Sequence, residues 1–526
     1  MRLQSTRLAQ NWFLLLVLVP LAWADQHGSK PAPQRAAAPK AAPAARPANN
    51  SRPASNSRPA STQHPASTQH PATTGNRPAA SAGRTFGTTR SNTATHSQAT
   101  SSRTTSTTTH TPGATTHTST TTTHSPGTTS RTSTTTTHTP GMTTRTTATR
   151  TFSNGTTARV GAGGHVQSIH TANGTSITRT AGGQRTVVST HNGRTVVNTG
   201  AGRGYVQRPY FNRGGRAYYQ RTYMVGGRSY AYAYARYSYR GAFYYGYAPS
   251  FYFRPAFYGW AFNPWFAPVY YHWGWFGAPW YAPYGYYFAP APYYPVASLW
   301  LTDYLLAQDL QAGYEAQAAA NAAAANAAGN APPQTAQNTA LTPEIKQAIA
   351  EEVKRQLDAE RAAAANPGQP VAPTNEQVPA ALDPAVRVFV VSSAIDVTAG
   401  GQGCSLTAGD IITRIDDNPD ASQNVSALVT TSKKSDCPSG QKVAVSVQDL
   451  QEMHNQFSQQ IDSGLKTLAE NQGKNGLPAA PDTHISAGEV PAPSPDNVQA
   501  ELQKQQDDAN QTEMDVKQQV SAGGQG

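Results

Sequence analysis

The chain has 526 residues, with 41 Lys and Arg against 29 Asp and Glu and a formal net charge of +12. Hydrophobic residues make up 37% and charged residues only 13%, with 43 Gly and 39 Pro, which excludes one large buried core and predicts much extended or disordered chain. Twenty-eight of the 29 acidic residues lie at or beyond Asp303 and the other is Asp25, so the stretch between is a polycation, mostly of arginine, that should attract polyanions.

Arg2 and Arg7 precede the apolar run Trp12 to Val19, and Ala22-Trp23-Ala24 stands before Asp25. A charged n-region, a short h-region and a small-x-small site predict a secretory signal peptide over 1–24, cleaved after Ala24. The run is too short for a bilayer, which takes roughly 20 residues, so no integral membrane span is expected after cleavage. No Cys adjoins the cut, and Gly523 to Gly526 carries no apolar sorting tail. The expected mature protein is non-cytoplasmic: secreted, or periplasmic and held in the cell envelope.

Residues 25–160 are Pro/Ala-rich and then Thr/Ser-rich, with short tandem copies. Ser51-Arg52-Pro53-Ala54-Ser55 recurs at Ser57, and Ser61-Thr62-Gln63-His64-Pro65-Ala66 recurs at Ser67. His110-Thr111-Pro112-Gly113 returns at His124 and His138, fourteen residues apart each time. No apolar periodicity accompanies the repeats, so nothing offsets the ordering entropy and a disordered stalk is predicted. Dense Thr beside Pro suits O-linked sugars. Three histidines on a floppy chain lack fixed metal geometry, and no metal or cofactor is expected.

Between residues 161 and 296 the pattern changes. Asn173-Gly174, Gly182-Gly183, Asn192-Gly193, Gly214-Gly215 and Gly226-Gly227 supply the positive φ of tight hairpins, and the segments between are rich in Val, Thr and Tyr. The reading is an antiparallel meander, the alternative a Gly-rich disordered segment. Arg185, Arg194, Arg203, Arg208, Arg216, Arg221 and Arg228 sit at or near its turns. From Phe243 to Tyr294 the chain is densely aromatic, with too much Pro for a helix. Exposed rings beside arginine suit stacking on sugars or bases, or a membrane interface; the alternative is that the rings pack on one another. The candidate polyanion and glycan contacts are Arg208, Arg216, Arg221, Arg228, Arg236 and Arg254, with Trp260, Trp265, Trp273, Trp275 and Trp280.

Tyr271-His272-Trp273-Gly274-Trp275 is close to a Tyr-x-Trp-Gly-x-Trp repeat, departing from it because Trp275 directly follows Gly274. In this and in its layout the chain resembles uncharacterised exported bacterial proteins that join a low-complexity leader, a Tyr/Trp/Gly-rich block and a short C-terminal tail. The resemblance covers most of the mature chain and implies no activity.

Leu299, Trp300, Leu301, Tyr304, Leu305, Leu306, Leu310 and Tyr314 predict an amphipathic helix that caps the aromatic block, within a helix and Ala-rich linker over 297–328. Thr342-Pro343-Glu344 starts a second helix, 341–365, whose stripe of Ile345, Ile349, Val353 and Leu357 offers a seam for a homo-oligomer. A linker follows over 366–383.

Residues 384–449 read as a compact β-domain, with strands at Val386 to Val390, around Ile411 to Ile415, at Val425 to Thr431 and at Lys442 to Val447. Cys404 and Cys437 are the only two cysteines and are expected to form one disulfide, worth roughly 3 kcal/mol by loop entropy. The pattern Leu406-Thr407-Ala408-Gly409-Asp410-Ile411-Ile412 resembles two folds. A small Src-homology-type barrel is preferred; a PDZ-like fold is the alternative and would need Val425 to Thr430 helical. Asp410 reads as a turn residue. Leu450, Met453, Phe457, Ile461, Leu465 and Leu468 predict a helix over 450–472, weakened by Gly464, with His454 on its exposed side. Residues 473–526 read as a mostly disordered tail with a Gln-rich helix near Val498 to Val520.

The predicted fold class is therefore mostly low-complexity chain with a β-rich Arg/Tyr/Gly block, amphipathic helices and a small barrel-like C-terminal domain. No nucleophile with its base, carboxylate pair, phosphate loop or metal spacing emerges, and His165, His170 and His191 have no carboxylate nearby in sequence. The expected function is non-enzymatic: an exported envelope or matrix protein whose basic aromatic block adheres to anionic polysaccharide while its C-terminal domain docks a protein. The alternatives are a self-associating β-assembly and an extracellular nucleic-acid binder.

Overall fold

The computed structural model describes residues 86–97, 100–111, 114–125, 128–138, 145–161, 166–180, 183–200, 203–225, 227–326, 340–365, 377–400, 402–433 and 437–522. Residues 1–85, which hold the expected signal peptide and the first part of the expected stalk, lie outside the described residues.

One antiparallel sheet of fourteen strands dominates, with the strands in sequence order. Its Thr-rich part comprises Phe86–Ser97 (β1), Thr100–Thr111 (β2), Ala114–Ser125 (β3), Thr128–His138 (β4) and Arg145–Thr151 (β5). The middle comprises Thr157–Val160 (β6), Val166–His170 (β7), Thr175–Arg179 (β8), Arg185–His191 (β9) and Arg194–Gly200 (β10). The Tyr-rich end is Arg203–Arg213 (β11), Arg216–Val225 (β12), Arg228–Tyr239 (β13) and Ala242–Ala248 (β14). At Asn192-Gly193 both turn residues take positive φ, 51° and 75°, as the expected tight hairpin needs. Arg240-Gly241 does the same at 48° and 79°, a turn without a Gly or Asn in first place.

The described residues of the stalk expected to be disordered, from Phe86 onward, are mostly strand. The physical reason is its threonine: β-branched side chains favour extended backbone, and the fourteen-residue repeat sets a strand-length Thr run between Pro-Gly pairs. Hydroxyls pair across the ladder, Thr104 with Thr121 at 2.8 Å and Thr120 with Ser133 at 2.9 Å. Side chains of His110, His124 and His138 lie outside the described residues.

The C-terminal tail, also expected to be mostly disordered, covers one face of this sheet. Register puts Ile169, Ile177, Val187, Val196 and Val206 on that face. Over it lies the helix Gln499–Ala522, here α5, numbered in chain order after the four helices below. Ala509 and Val516 pack on Ile169, Ile177 and Val187, while Val498 and Leu502 pack on Val196, Val206 and Met224. Helically spaced apolar residues in a polar sequence order the tail once a sheet is there to receive them.

The aromatic block folds on helices. Phe251–Phe253 (β15) pairs with Ile485–Ala487 from the tail, followed by Pro255–Phe262 (α1), Ala297–Asn326 (α2) and Pro343–Ala365 (α3). Trp265, Trp273, Trp280, Trp300, Leu301, Leu305, Ile349, Val353 and Leu357 share one buried core. The α3 stripe proposed as an oligomer seam is thus occupied within the chain. Alanine, the best helix former, carries α2 through the expected linker to Asn326.

The C-terminal sheet has six strands: Val388–Val390 (β16), Ile395–Ala399 (β17), Gln402–Leu406 (β18), Ile411–Arg414 (β19), Asn424–Thr431 (β20) and Lys442–Ser446 (β21). Their order, β16-β19-β20-β21-β17-β18, leaves both ends open, so no barrel closes. The segment a PDZ-like fold needs helical is β20. Cys404 and Cys437 are disulfide-bonded, their Cα atoms 5.4 Å apart. The long helix Val447–Asn471 (α4) then runs across the Tyr-rich end of the large sheet. Gly464, expected only to weaken α4, is where α2 comes close: a Cβ there would meet Leu301 Cδ2 at 2.5 Å.

Candidate polyanion interface

The basic stretch lacks carboxylates of its own, but tertiary structure supplies them from the acidic third of the chain. Arg179 and Arg185 reach Glu513 at 2.6 and 3.7 Å, Arg208 reaches Asp496 at 2.8 Å and Arg216 reaches Glu489 at 3.9 Å. Arg194 pairs with Glu501 and Arg203 with Glu315. The tail therefore neutralises the same strands whose apolar residues it covers.

Arg221 is the extreme case. It is 2% exposed, stacked 4.1 Å from the Tyr234 ring centroid and 4.9 Å from that of Tyr205. Its Nη atoms donate to both oxygens of Glu452 on α4, and its Nε donates to Gln207. Register sets Tyr219, Arg221, Tyr234 and Tyr247 on the face opposite α5. There α4 adds Gln459 to the Tyr234 hydroxyl and Asp462 to that of Tyr247, both at 2.5 Å. Burial raises the Tyr234 and Tyr247 hydroxyls well above their ordinary pKa.

The tryptophans are core. Trp265, Trp273 and Trp280 are buried, and Trp260 and Trp275 are half-buried against them. The near-repeat at Tyr271 to Trp275 is pinned by a relay: Trp273 Nε1 donates to the Tyr294 hydroxyl, which donates to Asp303, both at 2.7 Å. Lys346 of α3 closes it 2.5 Å from Asp303. The rings left exposed are others, among them Phe243, Phe266, Tyr270, Phe276, Tyr286 and Tyr293, with Tyr270 and Tyr293 centroids 6.3 Å apart.

No family model, curated protein or solved structure matches the chain.

Of the remaining candidates, Arg236 is half-buried between the rings of Phe243 and Tyr219, at 4.7 and 5.4 Å, and Arg228 and Arg254 are exposed. Sequence reasoning passed over Arg103, Arg131 and Arg159, assigned to a disordered stalk. All three are exposed, and no ion pair among the described residues reaches them or Arg228. Their two-residue phase within the Thr runs was the available signal.

Two buried acidic arrangements were also unforeseen. Glu360 and Asp462 meet between α3 and α4; burial first, then the charge of Asp462, holds Glu360 well above the carboxylate range, and burial raises Asp462 to about 7. Asp410, expected as a turn residue, accepts from Thr407 N at 2.7 Å and also binds Lys433 Nζ at 2.6 Å in the interior. His454 is not on an exposed face: it is half-buried beside Gln356 of α3, and desolvation, then Arg355, lowers it to about 4. A cleft of about 280 Å³ lies between Phe152, Asn154, Thr171 and the C-terminal turns of α5. No helix of the described residues is long and apolar enough to cross a membrane.

Proposed function

We propose that this chain is an exported, non-enzymatic scaffold of the cell envelope or extracellular matrix that adheres to anionic polysaccharide. The uneven neutralisation of its arginines carries this reading. Acidic residues beyond Asp303 answer Arg179, Arg185, Arg194, Arg203, Arg208, Arg216 and Arg221, while Arg103, Arg131, Arg159 and Arg228 are exposed and unanswered among the described residues. Export is supported by the pattern of residues 1–24 and by a disulfide in the C-terminal module. That module, close to the expected small barrel in strand content but open, is the part assigned to a protein partner. Kinship with the exported Tyr/Trp/Gly-rich proteins rests on the Tyr271 to Trp275 segment.

The exposed Phe266, Tyr270 and Tyr293 favour a second reading, self-association through rings. One assay separates the two, and it needs the full mature chain, because the tail covers the 163–296 block. Retention on acidic polysaccharide that falls steeply with salt supports adhesion. Salt-insensitive polymerisation without ligand supports self-association, and equal retention on single-stranded DNA supports a nucleic-acid binder.

A further inference from the structure

The unanswered arginines of the Thr-rich strands are not scattered. Arg103 on β2, Thr122 on β3 and Arg131 on β4 are successive register partners, and Arg131 continues to Thr151 and Thr157. The neighbouring row runs Thr105, Thr120, Ser133, Thr149, Arg159, Ser168, Thr178 and Thr186. A third row holds Thr107, Thr118 and Thr135. These rows share one face, and it is the face turned away from α5, since Ile169 and Ala158 point to the helix from the alternate positions.

We propose that this face is a binding site for a linear polysaccharide bearing one carboxylate on every second sugar, laid across the strands. Strands repeat at ~4.8 Å, so Arg103 and Arg131, two strands apart, present guanidinium groups ~10 Å from each other. Arg159 lies two further strands on and two residues along, which continues the spacing obliquely. An extended pyranose chain advances about one strand spacing per sugar, so acid on alternate sugars meets alternate strands. Guanidinium is the group that takes a carboxylate on two nitrogens. The intervening hydroxyls, which donate and accept, meet the sugar hydroxyls. No aromatic side chain stands in these three rows over β2–β6, so the face has no platform for bases and suits a glycan rather than a nucleic acid.

This inference rests on the adhesive reading and narrows it to one site and one ligand pattern. The test uses the full mature chain with its disulfide formed, at low and then rising salt. The probes are hyaluronan, with one carboxylate per disaccharide, polygalacturonate, with one per sugar, uncharged dextran and poly-dT. Hyaluronan should bind and be released by salt. The variant R103Q/R131Q/R159Q should lose about tenfold in affinity, which is about 1.4 kcal/mol shared over three exposed pairs. K442Q/K474Q, which removes two exposed cations elsewhere, should bind as the parent does. If the parent binds hyaluronan and the triple variant binds it equally, the site is wrong while the adhesive function stands. A tenfold preference for polygalacturonate or for poly-dT overturns the ligand assignment, and no binding to any polyanion overturns both proposals.

Discussion

Arg221 and Glu452, 231 residues apart, form a two-pronged ion pair at 2.6 and 2.8 Å that ties the middle of the Tyr-rich sheet to α4. The guanidinium is 2% exposed and its remaining side is closed by Tyr205, Tyr234 and Tyr245. Such a group is tolerated inside only while its partner is present. Glu452→Ala strands the charge and should cost about 3–5 kcal/mol in chemical denaturation. Arg221→Met/Glu452→Leu, which removes both charges, should cost markedly less; equal losses would show that the pair acts only as packing.

The disulfide closes a loop within the C-terminal sheet, joining residues 33 apart. Cys404→Ser/Cys437→Ser should lower stability by roughly 3 to 4 kcal/mol, mostly by freeing the unfolded chain. Reducing agent should lower the thermal midpoint of the parent and leave that of the variant unmoved.

Asp309 is 2% exposed, accepts from Gln460 at 2.7 Å, and is raised by burial from 3.8 to about 7. Its folded pKa lies above its unfolded value. Its contribution to stability is therefore whole below 3.8 and is lost as pH rises through about 7. Asp309→Asn keeps the accepting oxygen without the titration. Relative to the parent it should gain about 1.4 kcal/mol for each pH unit crossed in that window. The comparison also cancels Asp462, which acts in the same direction, and His454, whose lowered pKa acts in the opposite one. A pH-independent difference between the two proteins would refute the assignment.

Asn455 caps an edge. Its Oδ1 accepts from Tyr247 N at 3.0 Å and its Nδ2 donates to the Tyr245 carbonyl at 2.8 Å, so one carboxamide stands where a further strand would pair with β14. Asn455→Ala leaves both backbone groups unpaired, for about 1–3 kcal/mol. It should also promote concentration-dependent β-assembly seen by sedimentation, as an uncovered edge does. Assembly no greater than the parent's would show that other groups protect the edge.

Local pattern was enough for the hairpin turns, the apolar stripes of α3 and α4, four strands of the C-terminal sheet and the single cysteine pairing, because each is encoded within a few residues or by elimination. It missed β18, where Gln402, Gly403 and Ser405 dilute the apolar signal, and β17, where Ile395, Val397 and Ala399 do alternate with Asp396 and Thr398 but over only five residues. It misjudged the Thr-rich strands, where cross-strand hydroxyl pairs replace an apolar face, and it assigned to a ligand Arg208, Arg216 and Arg221, which α4 and the tail neutralise.

The amino-acid order alone determined the sorting of charge, most of the arginine before residue 303 and nearly all of the acid from it onward, and the kind of element that many segments form. Only tertiary structure decided which arginines remain free. Complementary charges hundreds of residues apart attract wherever they fall in sequence, but an ion pair needs contact within a few ångströms. That contact exists only where apolar packing has laid α5 on β7–β11 and α4 on β12–β14.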